Sequence, residues 1–242
     1  MKLWGGRFEA GPFEVFERFS GSLHFDKRLI DVDIRGSIAY AAALERVGIL
    51  TAQERDALAA AFRAIEEDSK TVEFWANADD EDVHTLVIRK LKERAGALAD
   101  KIHTGRSRND QVSLDIRLWL RDEIDACLKD LQALMAALLD MARRDPHALV
   151  PGYTHTRRAQ PVLWPHYLLS YFEMFARDLE RFKETRQRVD VMPLGSGAMA
   201  GSGFPFDRAA IANDLGFEVI RIALVAFEWR CLEFTPRGRS LH

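Results

Sequence analysis

The sequence predicts an all-α protein: a small N-terminal helical domain followed by the first long rods of a helical bundle. Three observations carry this expectation. Apolar residues recur at three- and four-residue steps along most of the chain. One such stripe continues for about 35 residues without proline or glycine, roughly 50 Å of helix. No stretch shows the alternation flanked by turns that a convincing sheet requires.

The elements follow in order. From Asp26, the residues Leu29, Val32, Gly36, Tyr40, Ala43 and Val47 share one helical face, and Gly48 supplies the stop. Thr51-Ala-Gln-Glu54 reads as a capping box opening a second helix, with Leu58, Phe62 and Ile65 inward. A third helix is expected over 81–95, with Val83, Val87 and Leu91 buried and Gly96 as its breaker. The first rod carries Ile116, Leu120, Ile124, Leu128, Leu131, Met135, Leu138 and Ala142 on one stripe and ends at Asp145-Pro146. Its length exceeds the usual three turns and indicates a bundle. The second rod is expected from Pro161, a residue suited to a first turn, with Leu168, Phe172, Phe175, Leu179, Phe182 and Val189 inward and Met192-Pro193 at its end. Residues 195–203 read as a loop and 207–215 as a short helix. From about Glu218 the apolar and basic residues share no period. The expected divisions are 1–105, a helical domain; 106–217, a central bundle domain; and 218–242, a divergent tail.

Bulk properties narrow the function classes. The chain has 242 residues, 48% of them hydrophobic, enough to bury a sizeable core. Its net charge of −3 gives no reason to expect a polyanionic partner. Cys127 and Cys231 stand far apart, which fits a reducing compartment better than a disulfide scaffold. The start, MKLWGGRFEAGPF, lacks the apolar stretch of a signal peptide, and no apolar run reaches the roughly 18 residues of a membrane span. A cytoplasmic protein is the expectation.

Three segments are richer in functional groups than structure alone requires. Residues 103–112, HTGRSRNDQV, crowd donors in front of the first rod. A helix N-terminus offers free N–H groups and partial positive charge, so Ser107, Arg108 and Asn109 could seat a carboxylate there. Arginine suits that task because its planar fork pairs bidentately with carboxylate oxygens. The plain alternative is a capped helix with surface arginines. Residues 151–161, PGYTHTRRAQP, form the loop between the rods and hold His155, which can exchange a proton near neutral pH, beside Thr154, which could orient it. A solvated loop histidine is the alternative there. Residues 79–84, DDEDVH, cluster acids at a helix start, which favourable pairing with the helix dipole explains in most cases.

Other chemistries find little support. The seven histidines show no HxH or HExxH spacing, so a zinc site is not expected. The sequence GSGAMAGSG of 195–203 follows a helix and lacks the GxGxxG order of a dinucleotide site. The RSR triplet has no aromatic–basic interleaving around it that would favour nucleic acid.

Taken together, the segment LWGGRF at 3–8, the stretch from Ser22 to Asp26, DEDVH at 80–84, HTGRSRNDQ and GYTHTRRAQP resemble the argininosuccinate lyases of the fumarase and aspartase superfamily, in wording and in order. The resemblance runs from Leu3 to about Phe217. It implies a β-elimination that splits argininosuccinate into L-arginine and fumarate, a step of arginine biosynthesis and the urea cycle. It gives His155 an acid–base role. Ser22, Asn109 and Thr154 match substrate-binding positions; Ser107, Arg108 and Gln160 lie in the same motifs, and Asp82 and His84 are further candidates. The family works as a homotetramer with active sites shared between subunits, and the resemblance implies no metal or organic cofactor. A second expectation, from a different class, is a non-catalytic oligomeric scaffold of the same fold, as in the lens crystallins related to this family.

The family's sequences continue into a mobile loop of the form GSSxMPxKxNP, which carries the serine generally assigned as catalytic base. No such loop occurs in these 242 residues, and Ser196 and Ser202 belong to an earlier segment. The abrupt loss of resemblance after Phe217 is read as a truncation or a shifted frame. Two bare rod stripes also favour self-association. Because one positioned acid–base group is worth about 10²–10⁴-fold in rate, the isolated chain is expected to show little or no lyase activity. A fumarate-release assay on the purified polypeptide checks this; turnover like that of a complete enzyme would refute it.

Overall fold

The computed structural model describes residues 13–76, 78–197 and 199–220. Among these, helices dominate: α1 (Glu14–Ser20), α2 (Leu23–Asp26), α3 (Ile30–Arg46), α4 (Ala52–Asp68), α5 (Val72–Ala76), α6 (Val83–Ala95), α7 (Arg108–Arg144), α8 (Trp164–Val189) and α9 (Arg208–Leu215). The all-α expectation holds, with two small additions. An antiparallel hairpin pairs β1 (Leu149–Thr154) with β2 (Arg157–Leu163), and β3 (Val191–Met192) runs parallel to β4 (Val219–Ile220). The LWGGRF segment, Cys231 and most of the expected tail lie outside the described residues.

The chain forms two compact units. One comprises residues up to Trp119 together with those from Asp190; the other is Leu120–Val189. The sequence expectation placed a division at 105/106. In the structure the first turns of α7 belong to the first unit, because Leu114 and Leu118 are buried in its core, and residues 190–217 return to that core through Met192, Leu194, Ile211, Leu215 and Phe217.

Helix α3 is the centre of the first unit. Eleven of its 17 residues are buried, and it packs against α4, α6 and α9. Such all-round burial explains why its sequence is so rich in alanine: small side chains let three neighbours approach. Gly36 serves the fourth approach, since a Cβ there would lie 2.8 Å from Leu114 Cδ2 on α7. The chain does not enter α3 as one continuous helix from Asp26; a 3-10 turn over Lys27–Leu29 intervenes. Helix α4 starts at the expected capping box: Thr51 Oγ1 accepts from Glu54 N–H at 3.2 Å, and Thr51 N–H donates to Glu54 Oε2 at 2.9 Å.

Two sequence expectations need correction in detail. The buried face of α7 near its start is Leu114, Asp115 and Leu118, whereas Ile116 is only half-buried. Polar residues occupy core positions there, and an apolar-only stripe passes over them. The segment between the rods is a β-hairpin, and the second rod begins at Trp164, not Pro161. Pro161 stands opposite Pro151 in the hairpin, and the proline of the first helical turn is Pro165.

In the second unit, the remainder of α7 and α8 are linked by Arg186 Nε donating to Asp125 Oδ1 at 3.0 Å. The expected inner residues Phe172, Phe175 and Leu179 of α8 are half-buried, and Tyr167, Tyr171, Met174 and Phe182 are exposed.

Removing the α4 cap by Thr51→Ala is expected to cost about 1 kcal/mol. Urea unfolding followed by circular dichroism measures the loss.

Candidate active site

Four of the expected site residues gather where α6 and α7 begin, all in the first unit. Asp82 caps α6: its Oδ1 accepts from Thr85 N–H at 2.8 Å, and its other oxygen takes a hydrogen bond from the Arg108 guanidinium. Arg108, the first residue of α7, also reaches Thr85 Oγ1 at 3.3 Å. One residue earlier, Ser107 Oγ accepts from Asn109 N–H at 3.2 Å, in the manner of an N-cap. Asn109 is exposed. Thus the starts of two helices are held side by side by an aspartate–arginine pair, with their free N–H groups and partial positive charge close together.

Ser22 joins this cluster through Asp26. Its hydroxyl donates to Asp26 Oδ2 at 2.6 Å, its N–H donates to Glu81 O at 2.7 Å, and Asp26 Oδ1 accepts from Val83 N–H at 3.2 Å. Burial pushes the Asp26 carboxyl above the ordinary range, partly offset by the Ser22 hydroxyl and Val83 amide. Burial likewise lowers the Arg108 guanidinium, against the pull of Asp33 and Glu81.

His84 sits deeper than an open substrate contact would require, at 3% exposure. Its Nδ1 is 2.8 Å from Asp33 Oδ2, and its buried Nε2 has no hydrogen-bond partner among the described residues. Asp33 also accepts from Ser37 Oγ at 3.2 Å, and Ser37 in turn accepts from Arg106 Nη1 at 3.2 Å. Burial opposes charge on Asp33, yet His84 and Arg106 hold its carboxyl below the ordinary range. Arg106 lies over the Tyr40 ring, 5.1 Å from its centroid, and Tyr40 donates to Thr104 O at 2.7 Å.

The 195–203 segment, expected to be a loop, folds against the same region. Asp110 Oδ2 accepts from Gly197 N–H at 2.9 Å. Gly105, at φ +71, could not carry a side chain, since a Cβ would lie 2.7 Å from Phe204 Cδ2 and 2.9 Å from Ser202 Oγ.

The other three expected residues, Thr154, His155 and Gln160, belong to the hairpin of the second unit and are exposed. His155 and Thr156 form its two-residue tip with φ of 49° and 63°. Such a turn favours Asn-Gly. Histidine tolerates the left-handed region better than most residues, whereas β-branched threonine is strained there by about 1–3 kcal/mol.

Sequence reasoning missed Asp33, Ser37, Thr85, Arg106, Gln111 and Asp115. A signal was present in α3: Asp33 and Ser37 are four residues apart and in register with Tyr40 and Leu44, so polar groups stand on a core-facing row. Among the described residues, no group of three or more His, Cys, Asp or Glu is placed to hold a metal ion. No helix among them is long and apolar enough to cross a membrane.

The chain belongs to the lyase family, matched over residues 6–226. The match continues past Phe217, where the resemblance was expected to end. Within that family the chain is similar to argininosuccinate lyases: it is 68% identical over 220 residues to that of Solibacter usitatus (strain Ellin6076) and 50% identical over 219 to that of Desulforudis audaxviator (strain MP104C). These alignments take in 91% and 90% of this chain and 48% of each relative, so the chain spans about half the length of the curated relatives it matches. A solved variant of EDDS lyase with bound fumarate superimposes with a TM-score of 0.72 at 26% identity, over 86% of this chain and 40% of that one.

Asp115 provides a pH test of the buried cluster. Burial and then the Asp33 charge raise its carboxyl well above the ordinary range. A folded pKa above the unfolded one gives stability that is complete below the unfolded value and lost as pH rises through the folded value. Asp115→Asn escapes that loss while keeping an oxygen for the Gln111 amide. Its urea midpoint should exceed that of the natural chain at pH 7, with the gap closing as pH falls toward the ordinary carboxylate range.

Proposed function

We propose that the protein is an argininosuccinate lyase, which eliminates fumarate from argininosuccinate and leaves L-arginine, and that this chain supplies part of its active site. The observation that carries the reading is the joined start of α6 and α7, where Asp82 and Arg108 lock together the segments that resemble the family's substrate cradle. The 68% identity to a relative bearing that name supports it.

The elimination needs three things. A base removes a Cβ proton of the succinyl group, the electron pair forms the carbon–carbon double bond as the Cα–N bond breaks, and an acid returns a proton to the departing guanidino nitrogen. Carboxylates of the substrate must be held throughout. Ser22, Ser107, Arg108 and Asn109 offer hydroxyl, guanidinium and amide donors for those carboxylates, and Asp82 complements the guanidino group. In this reading His155 exchanges protons with the substrate, and Thr154 and Gln160 hydrogen-bond it from the same hairpin. His84 stands behind the cradle.

Residues 106–217 are then the opening part of a bundle domain whose exposed apolar side chains on α8 are covered in a homotetramer with shared active sites. The protein works in the cytoplasm, in arginine biosynthesis. The scaffold reading without catalysis has no observation of its own in its favour.

The test co-expresses this chain with the second half of the Solibacter usitatus relative and follows fumarate release from argininosuccinate. Activity is expected from the co-purified assembly, and His155→Asn should lower it by about 10²–10⁴-fold. A soluble assembly without turnover, or full turnover in the variant, would overturn the reading.

A further inference from the structure

A carboxylate that no motif singled out lies behind the candidate site. Asp33 is fully buried in the first turn of α3, a helix that also contributes Ile30, Val32 and Ile34 to the apolar core. An ionised carboxylate can only accept hydrogen bonds. It receives one from His84 Nδ1 at 2.8 Å and one from Ser37 Oγ at 3.2 Å. Ser37 passes the connection on by accepting from Arg106 Nη1 at 3.2 Å. The result is a two-armed relay. One arm ends in the first turn of α6, two residues after Asp82. The other ends in the turn before α7, next to Ser107, Arg108 and Asn109.

A buried polar relay is an expensive way to join helices, since well-packed apolar groups would serve stability as well or better. What the relay adds is direction. Hydrogen bonds fix ring and guanidinium orientation in a way that apolar packing does not. With Nδ1 turned to Asp33, the His84 ring aims Nε2 the other way, a buried atom without a hydrogen-bond partner among the described residues.

We propose that Asp33 is a positioning residue that holds the α6 start and the 103–109 turn in fixed relation, by fixing His84 through one arm and Arg106 through Ser37 in the other. The inference rests on the lyase reading only for what those segments grip; the relay itself is tested without any substrate.

The test uses amide hydrogen exchange and ¹⁵N spectroscopy of histidine rings in the 242-residue chain. Asp33→Leu removes both arms and Ser37→Ala removes only the second. In the natural chain His84 should carry a proton on Nδ1, hydrogen-bonded to Asp33. Asp33→Leu should abolish that preference and speed exchange about tenfold or more in both 83–86 and 106–111, leaving α4 unchanged. Ser37→Ala should speed exchange in 106–111 alone and keep the His84 signature. If Asp33→Leu does not fold, Ser37→Ala decides. Uniform acceleration across the core, no acceleration at 106–111, or a natural chain whose His84 carries its proton on Nε2 would overturn the proposal. In the reconstituted assembly Ser37→Ala should raise KM for argininosuccinate more than it lowers kcat. An assembly inactive even with the natural chain would count against the lyase reading and leave the exchange result to judge the relay.

Discussion

The structure depends above all on the burial of α3. A helix surrounded by α4, α6, α9 and the start of α7 has almost no free face, and each neighbour reaches it through a different row of side chains. Apolar rows carry most of the contact, as burial of hydrocarbon provides the main drive toward compactness. The exception is the row with Asp33 and Ser37. There the core contains charge, and the helices that meet it are the ones whose starts bear the candidate site. The same helix therefore anchors the fold and aligns the site.

Such an arrangement accounts for the unusual electrostatics. Asp33 and Asp115 stand close enough to repel within a buried region, while Arg106 attracts both. The structure settles the conflict unevenly. Asp33, with a histidine and a serine donating to it, keeps its charge; Asp115, with the Gln111 amide, is driven toward the neutral form. Two like groups in one cluster are pushed in opposite directions by their partners, which is how buried carboxylates come to hold different states at one pH.

Much of the fold was legible in the sequence. Long three- and four-residue periodicity identified the rods, since a helix must bury one stripe whatever it packs against. Thr51 and Glu54 marked a helix start because the capping box is a local hydrogen-bond pattern. The hairpin was not legible. Residues 149–163 carry two prolines in facing positions and a His-Thr tip in place of Asn-Gly, so neither alternation nor turn chemistry announces a strand pair. The prolines also drew the expected start of α8 to Pro161. The buried face of α7 was displaced for a related reason: Asp115 and Gln111 are core residues, and a reading that equates core with apolar passes over them.

The candidate site divides along the same line. Motif wording pointed to Ser22, Asp82, His84, Ser107, Arg108, Asn109, Thr154, His155 and Gln160, because short donor-rich segments at helix starts and turns are visible in one dimension. The sequence alone thereby determined the helical class, the presence of two long rods and the family. Only the tertiary structure decided that Asp26 links Ser22 to the start of α6, that Asp82 meets Arg108, and that Asp33 joins His84 to Arg106 by way of Ser37. The links between helices among them join residues 26 to 69 positions apart, 51 in the case of Asp33 and His84. No periodicity reports which buried donor will face which acceptor; that is fixed when helices with separate sequence patterns pack and leave each polar group only the partners within reach.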